Sequence, residues 1–180
     1  MTRVDLKAFT FSAGSKSRSI DNAVLGHLPK RLLFSMIKNT YFNGSVDTYP
    51  YKFRHYDISE FSMYVNGMRV PRDGLSIDMD HKKTSVMGYR TLFEVSGIHH
   101  SNTGLLITPD MYINGFFMLL FDLTPDHGAS GAHTSLPENG NIRIELQFSR
   151  PLPESITCLL YIEYDSIVLI NFSRKFTTDF

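Results

Sequence analysis

Residues 142–148 read Ile-Arg-Ile-Glu-Leu-Gln-Phe, a strict alternation of apolar and polar side chains. In an extended chain successive side chains point to opposite sides, so Ile142, Ile144, Leu146 and Phe148 share one face while Arg143, Glu145 and Gln147 share the other. A helix would scatter the same four apolar residues around its circumference. The segment therefore demands a strand with one dry and one solvated face, which an antiparallel sheet packed on a second layer supplies.

Other segments speak the same language. In Phe61-Ser-Met-Tyr-Val-Asn-Gly-Met-Arg-Val-Pro71, the Asn66-Gly67 pair separates two extended runs. Both central residues of a type I′ turn need positive φ, so a two-residue hairpin is predicted there. Its second strand is expected to be short, because Pro71 has no N–H for a ladder. Arg3 to Phe11 and Arg31 to Asn39 read as strands, the latter ended by the turn residues of Asn39 to Ser45, and Ser12 to Ser19 as a polar loop. Phe116 to Leu123 is a nearly continuous apolar run of strand length, as for a strand covered on both faces. Ile156 to Tyr164 and Ile167 to Phe172 complete the set.

Two helical insertions interrupt this pattern. Thr84 to Gly97 has helical spacing, with Val86, Arg90 and Phe93 on one side, Tyr89 and Leu92 close by, and a glycine at the C-cap. Thr108-Pro109-Asp110 offers an N-cap residue followed by proline at the first helical position, so a short helix is predicted to Asn114-Gly115. The expected fold is all-β: a single antiparallel sandwich of about eight strands over residues 1–180, with residues 1–19 a partly mobile strand and loop and 173–180 a tail. Aromatic residues at 13%, set among Ile, Val and Thr, agree with it.

Charge and cysteine content narrow the function classes. Eighteen Lys+Arg balance eighteen Asp+Glu, which removes the electrostatic footprint of a dedicated nucleic-acid binder. Cys158 is the single cysteine, so neither an internal disulfide nor a cysteine-based zinc cage is available. The apolar runs are shorter than the ~20 residues of a spanning helix, and the polar start is not that of a signal peptide, so a soluble, intracellular protein without membrane contact is expected.

Candidate chemistry is sparse. His99-His100 and the pair His127 and His133 lack a metal-site spacing, and adjacent histidines on a strand point to opposite faces. Cys158 sits inside an apolar strand, as a core residue does. Asp122 and Asp126 flank Thr124-Pro125, which suits turn stabilisation better than paired-acid catalysis. Asn43-Gly-Ser45 and Asn171-Phe-Ser173 match the glycosylation pattern by accident in a chain without a secretory signal. Lys7, Lys16, Arg18, Lys30, Arg31 and Lys38 make the first forty residues net basic, as a phosphate-facing patch, a solvated face or one half of a charged interface would be. No residue is assigned a catalytic, cofactor-binding or metal-ligating role, no cofactor is implied, and no enzyme activity is expected.

Three stretches together carry a resemblance: Leu28-Pro-Lys-Arg-Leu-Leu-Phe-Ser-Met-Ile-Lys-Asn-Thr-Tyr-Phe-Asn-Gly-Ser45 with Tyr49-Pro-Tyr-Lys-Phe53, then Phe121-Asp-Leu-Thr-Pro-Asp126, and Gly140-Asn-Ile-Arg-Ile-Glu-Leu-Gln-Phe-Ser-Arg-Pro-Leu-Pro-Glu154 with Tyr161-Ile-Glu-Tyr-Asp165. From about Ser19 to Phe172 the chain resembles the C-terminal part of the hexon-like major capsid proteins of Polinton/Maverick elements and adintovirus-like viruses, which also occur as open reading frames in animal genomes. The resemblance implies a jelly roll. In that family two rolls lie in tandem, and three copies form a pseudo-hexagonal capsomer of an icosahedral shell.

A chain of 180 residues has room for one roll, so it is a second half, a truncated or host-retained copy, or a single-roll relative. The implied partners are further copies of itself and other capsid proteins, without specific nucleic-acid binding. The implied location is the virion capsid, with assembly in the host nucleus or cytoplasm. The alternative is a jelly-roll module that binds a carbohydrate or protein, and a cupin-like enzyme stands behind it.

Overall fold

The computed structural model describes all residues except 45, 47–48, 78, 80–84, 99–101, 103, 132–134 and 179–180. Its strands are β1 (Thr2–Phe11), β2 (Ser17–His27), β3 (Arg31–Lys38), β4 (Ile58–Val65), β5 (Met68–Ser76), β6 (Met118–Asp122), β7 (Asn139–Phe148), β8 (Ile156–Asp165), β9 (Val168–Ile170) and β10 (Phe176–Thr178). Helix α1 (Asn39–Phe42) follows β3, and α2 (Ser85–Ser96) and α3 (Pro109–Gly115) lie between β5 and β6.

Two four-stranded sheets form, in the orders β1-β8-β3-β6 and β2-β7-β4-β5, with every strand pair antiparallel. We call them the first and second sheet. The chain passes from one sheet to the other at every connection from β1 to β8 except the β4–β5 hairpin. That order is an eight-stranded jelly roll, the all-β sandwich expected from the sequence.

The alternating segment occupies the centre of the second sheet. Ile142, Ile144, Leu146 and Phe148 on β7 are all buried, between β2 and β4. They face β8, whose Ile156, Cys158, Leu160, Ile162 and Tyr164 supply the opposite wall. The two walls are joined by aromatic contacts. Phe61 of β4 lies 5.0 Å from Phe34 of β3 and stacks on Phe121 of β6, also at 5.0 Å and with the rings 12° apart.

Local signals behave as their chemistry requires. Asn66 and Gly67 take φ of 51° and 81° in the β4–β5 turn, and Thr108 caps α3 by accepting from the Met111 N–H at 3.3 Å. Helix α2 appears where helical spacing predicted it, although it buries Leu92 and Val95 and leaves Val86 exposed.

Three expectations are corrected. Strand β5 continues through Pro71 to Ser76, because it is an edge strand and its register with β4 jumps from Met63↔Val70 to Phe61↔Leu75, leaving proline outside the ladder. The polar stretch read as a loop to Ser19 gives way at Ser17 to β2, a strand that the sequence pattern concealed. A register shift between Ile20 and Val24, with Asn22 at φ 50°, breaks the period of its buried residues. Finally, the strand expected at Ile167 to Phe172 belongs to neither sheet; Val168–Ile170 pairs instead with Phe176–Thr178 in a separate hairpin.

Ile144 is fully buried at the centre of this arrangement. Ile144→Asp places an unpaired charge there and should destabilise the fold by more than about 3 kcal/mol, read as a loss of cooperative urea unfolding.

Candidate functional site

Asp122 and Asp126 are held in a turn and Cys158 in the core. Asp122 ends β6, and its Oδ1 accepts from the Thr124 N–H at 2.9 Å and from Thr124 Oγ1 at 2.6 Å. Its Oδ2 accepts from the Ala129 N–H at 2.9 Å. Asp126 accepts separately, from the Gly128 N–H at 3.1 Å. The two carboxylates therefore pin one turn. His127 belongs to the same turn, donating its backbone N–H to the Thr124 carbonyl at 3.1 Å; His99, His100 and His133 lie outside the described residues. Among the described residues no three His, Cys, Asp or Glu side chains group so as to hold a metal ion.

Cys158 is buried in β8, and burial pushes its thiol up. Tyr112 of α3, buried with its hydroxyl donating to the Met118 carbonyl at 3.1 Å, is pushed up for the same reason. Asn43 closes α1, with Ser45 outside the described residues. Asn171 Oδ1 accepts from the Lys175 N–H at 2.9 Å within the terminal hairpin.

Five of the six basic residues singled out in the first forty positions are tied down rather than gathered, and Lys16 is exposed. Lys30 meets Asp165 at 2.7 Å, Arg31 meets Glu163 at 3.2 Å and Lys38 meets Glu154 at 2.7 Å. Lys7 donates across the open side of the sandwich to the Ala23 carbonyl at 3.0 Å, and Arg18 donates to Ser15. Their acidic partners come from the far end of the chain, so the sequence showed the cations without the anions that answer them.

Two clefts went unforeseen. In one, Glu154 collects Lys38, the Tyr56 hydroxyl at 3.2 Å and, at 4.0 Å, Arg54. Burial first, and then the Glu154 charge, raise the Tyr56 hydroxyl, which stays a donor. The other cleft, of about 1040 Å³, lies where Val70 and Pro71 of β5 face Thr91 and Val95 of α2 and Phe121 of β6. The second cleft is also lined by Asp122, His127 and Ser130.

The sheet exteriors differ sharply. Outside β7 and β4, Arg143 meets Glu145 at 3.0 Å and lies over the Tyr64 ring, while Arg69 pairs with Glu60. The exterior of the first sheet instead shows Val4, Leu6 and Tyr161 to solvent, and the β9–β10 hairpin leaves Leu169, Ile170, Phe172 and Phe176 bare. No helix of the described residues is long and apolar enough to cross a membrane.

No family model matches the chain. It is similar to the uncharacterised protein F54H12.2 of Caenorhabditis elegans, 23% identical over 179 residues. The match takes in 97% of this chain and 42% of the relative, so the chain spans about two-fifths of the relative's length.

Asp122 is replaceable only at a cost. Asp122→Ala leaves three donors without their acceptor and should destabilise by at least about 2 kcal/mol, whereas Asp126→Ala should cost under about 1 kcal/mol, both read from urea unfolding midpoints.

Cys158 and Tyr112 give a pH dependence with a definite sign. An unfolded chain loses the thiol proton near about pH 8.5 and the phenol proton near about pH 10, while the folded chain holds both higher. Their stabilisation is complete below those values and is lost as pH rises towards the folded ones, because the folded state then binds more protons. Thermal unfolding temperatures should fall steadily above about pH 9, and a thiol reagent should modify Cys158 only in the denatured protein.

Proposed function

We propose that the chain is a non-catalytic, self-associating structural protein of capsid type, related to the C-terminal jelly roll of the hexon-like major capsid proteins that its sequence resembles. The observation that carries this reading is the apolar surface: the exterior of one sheet and the terminal hairpin expose Leu6, Tyr161, Leu169, Ile170, Phe172 and Phe176. The largest apolar patch on a protein surface is often a functional contact. The eight-stranded jelly-roll order supports it, since three such rolls or pairs of rolls can stand side by side with their flanks in contact. The nematode relative supports it too, because its unmatched length leaves room there for a second domain of this size.

On this reading the partners are other copies, in a trimer or pseudo-hexameric capsomer, and other capsid proteins. The protein works in a virion capsid after assembly in the host nucleus or cytoplasm. It requires no membrane, cofactor or specific nucleic acid.

A second reading, a binding module for a carbohydrate or protein ligand, draws on the cleft between β5 and α2, whose volume is that of a ligand site. Light scattering across a concentration series separates the two. The mass should climb towards three subunits as concentration rises. A strict monomer throughout, with a positive glycan array, would move the assignment to the binding module.

A further inference from the structure

Register shows how the apolar residues on the exterior of the first sheet are arranged, Leu6 and Tyr161 exposed and Leu33 and Leu159 half-buried. Leu6 lies opposite Tyr161, and Tyr161 opposite Leu33; one row along, Ala8 lies opposite Leu159. The inward side chains of β8 are its buried even-numbered residues, so Leu159 and Tyr161 point outward with the partners that face them. Val4 lies one row further, opposite Glu163, whose ion pair with Arg31 bounds the patch on that side. With strands about 4.8 Å apart and same-face residues about 7 Å apart, the five residues Leu6, Ala8, Leu33, Leu159 and Tyr161 cover roughly 150–200 Å².

The same chain carries a second bare apolar element. Met1 and Ser166 exchange hydrogen bonds at 2.7 and 2.8 Å, which anchors the end of β8. Two residues later the hairpin begins, and β9 and β10 pair only with each other. Leu169 and Ile170 are 63% and 64% exposed, Phe176 is 72% exposed, and Phe172 is fully so.

We infer that the β9–β10 hairpin of one copy seats on the exterior of the first sheet of a second copy, over Leu6, Leu33, Leu159 and Tyr161. The inference rests on the self-association proposed above and specifies its geometry. Face-to-face packing of two first sheets would cover the patches and leave both hairpins in water; hairpin-on-sheet contact covers both. Strand addition at the free edge of β1 is disfavoured, because Arg3, Asp5 and Lys7 alternate with the outward set and turn charge into that edge.

Each copy thus offers one donor and one acceptor, so the contact is head-to-tail and closes into a ring when its rotation permits. One such contact buries roughly 400 Å² in total, well below the 1,200–2,000 Å² of a stable complex. A single contact should therefore form only at high concentration, where both wild type and mixtures are compared.

The test is complementation between two defective chains. Leu6→Glu/Tyr161→Glu keeps the hairpin and spoils the patch; deletion of residues 168–180 keeps the patch and removes the hairpin, with Phe172→Ser/Phe176→Ser as a second hairpin variant should the deletion fold poorly. Thermal melting checks the fold of each. By light scattering, wild type should associate with rising concentration, each variant alone should stay monomeric, and an equimolar mixture should form a species of two chains. Association of wild type without complementation, or association that survives loss of the hairpin, overturns the inference and leaves self-association standing. A wild type that is monomeric at every concentration overturns both.

Discussion

The ring of Phe61, held between Phe34 and Phe121, is the contact on which the two sheets depend. It crosses the interior once from the second sheet and meets two strands of the first. Each aromatic pair adds about 0.5–1.5 kcal/mol beyond the area it buries. It also sets the sheet spacing that lets the alternating residues of β7 reach those of β8. Everything outside that layer is arranged to keep water from its four margins.

The two long margins are closed by different means. At the β6 margin, α2 lies along the sheet edge, and Thr91 Oγ1 accepts the otherwise unpaired Leu120 N–H at 3.2 Å. Gly88 permits this approach, since a Cβ there would stand 2.6 Å from the Tyr112 hydroxyl. At the β1 margin no helix of the described residues covers the edge. Lys7 reaches the Ala23 carbonyl on β2, and the Arg3 guanidinium lies 4.4 Å from the centre of the Tyr164 ring. These charges block edge-to-edge strand pairing while their stems cover apolar surface. The molecule thus protects its edges from indiscriminate pairing, while Leu6 and Tyr161 stay exposed on the outside of the first sheet.

The sequence by itself determined whatever depends on neighbours a few residues away. The Ile142 to Phe148 strand, the Asn66-Gly67 turn, the Thr108 cap and the α2 region were legible because period, positive φ and capping are local properties. Strand β2 was not, because the irregularity between Ile20 and Val24 shifts its buried residues out of phase. Nor could Pro71 be read correctly without knowing that β5 is an edge, where a missing donor costs little.

Tertiary structure alone decided which surfaces matter. Leu6, Leu33 and Tyr161 are remote in sequence and become one patch only through the registers of β1 and β3 with β8. The same registers bring Arg31 to Glu163, turning an apparent basic cluster into ion pairs. Ile167 to Phe172 reads as one more apolar strand because composition reports that a side chain prefers burial, not where burial is to be found. In the folded chain both sheets are complete without it, and that segment is left at the surface.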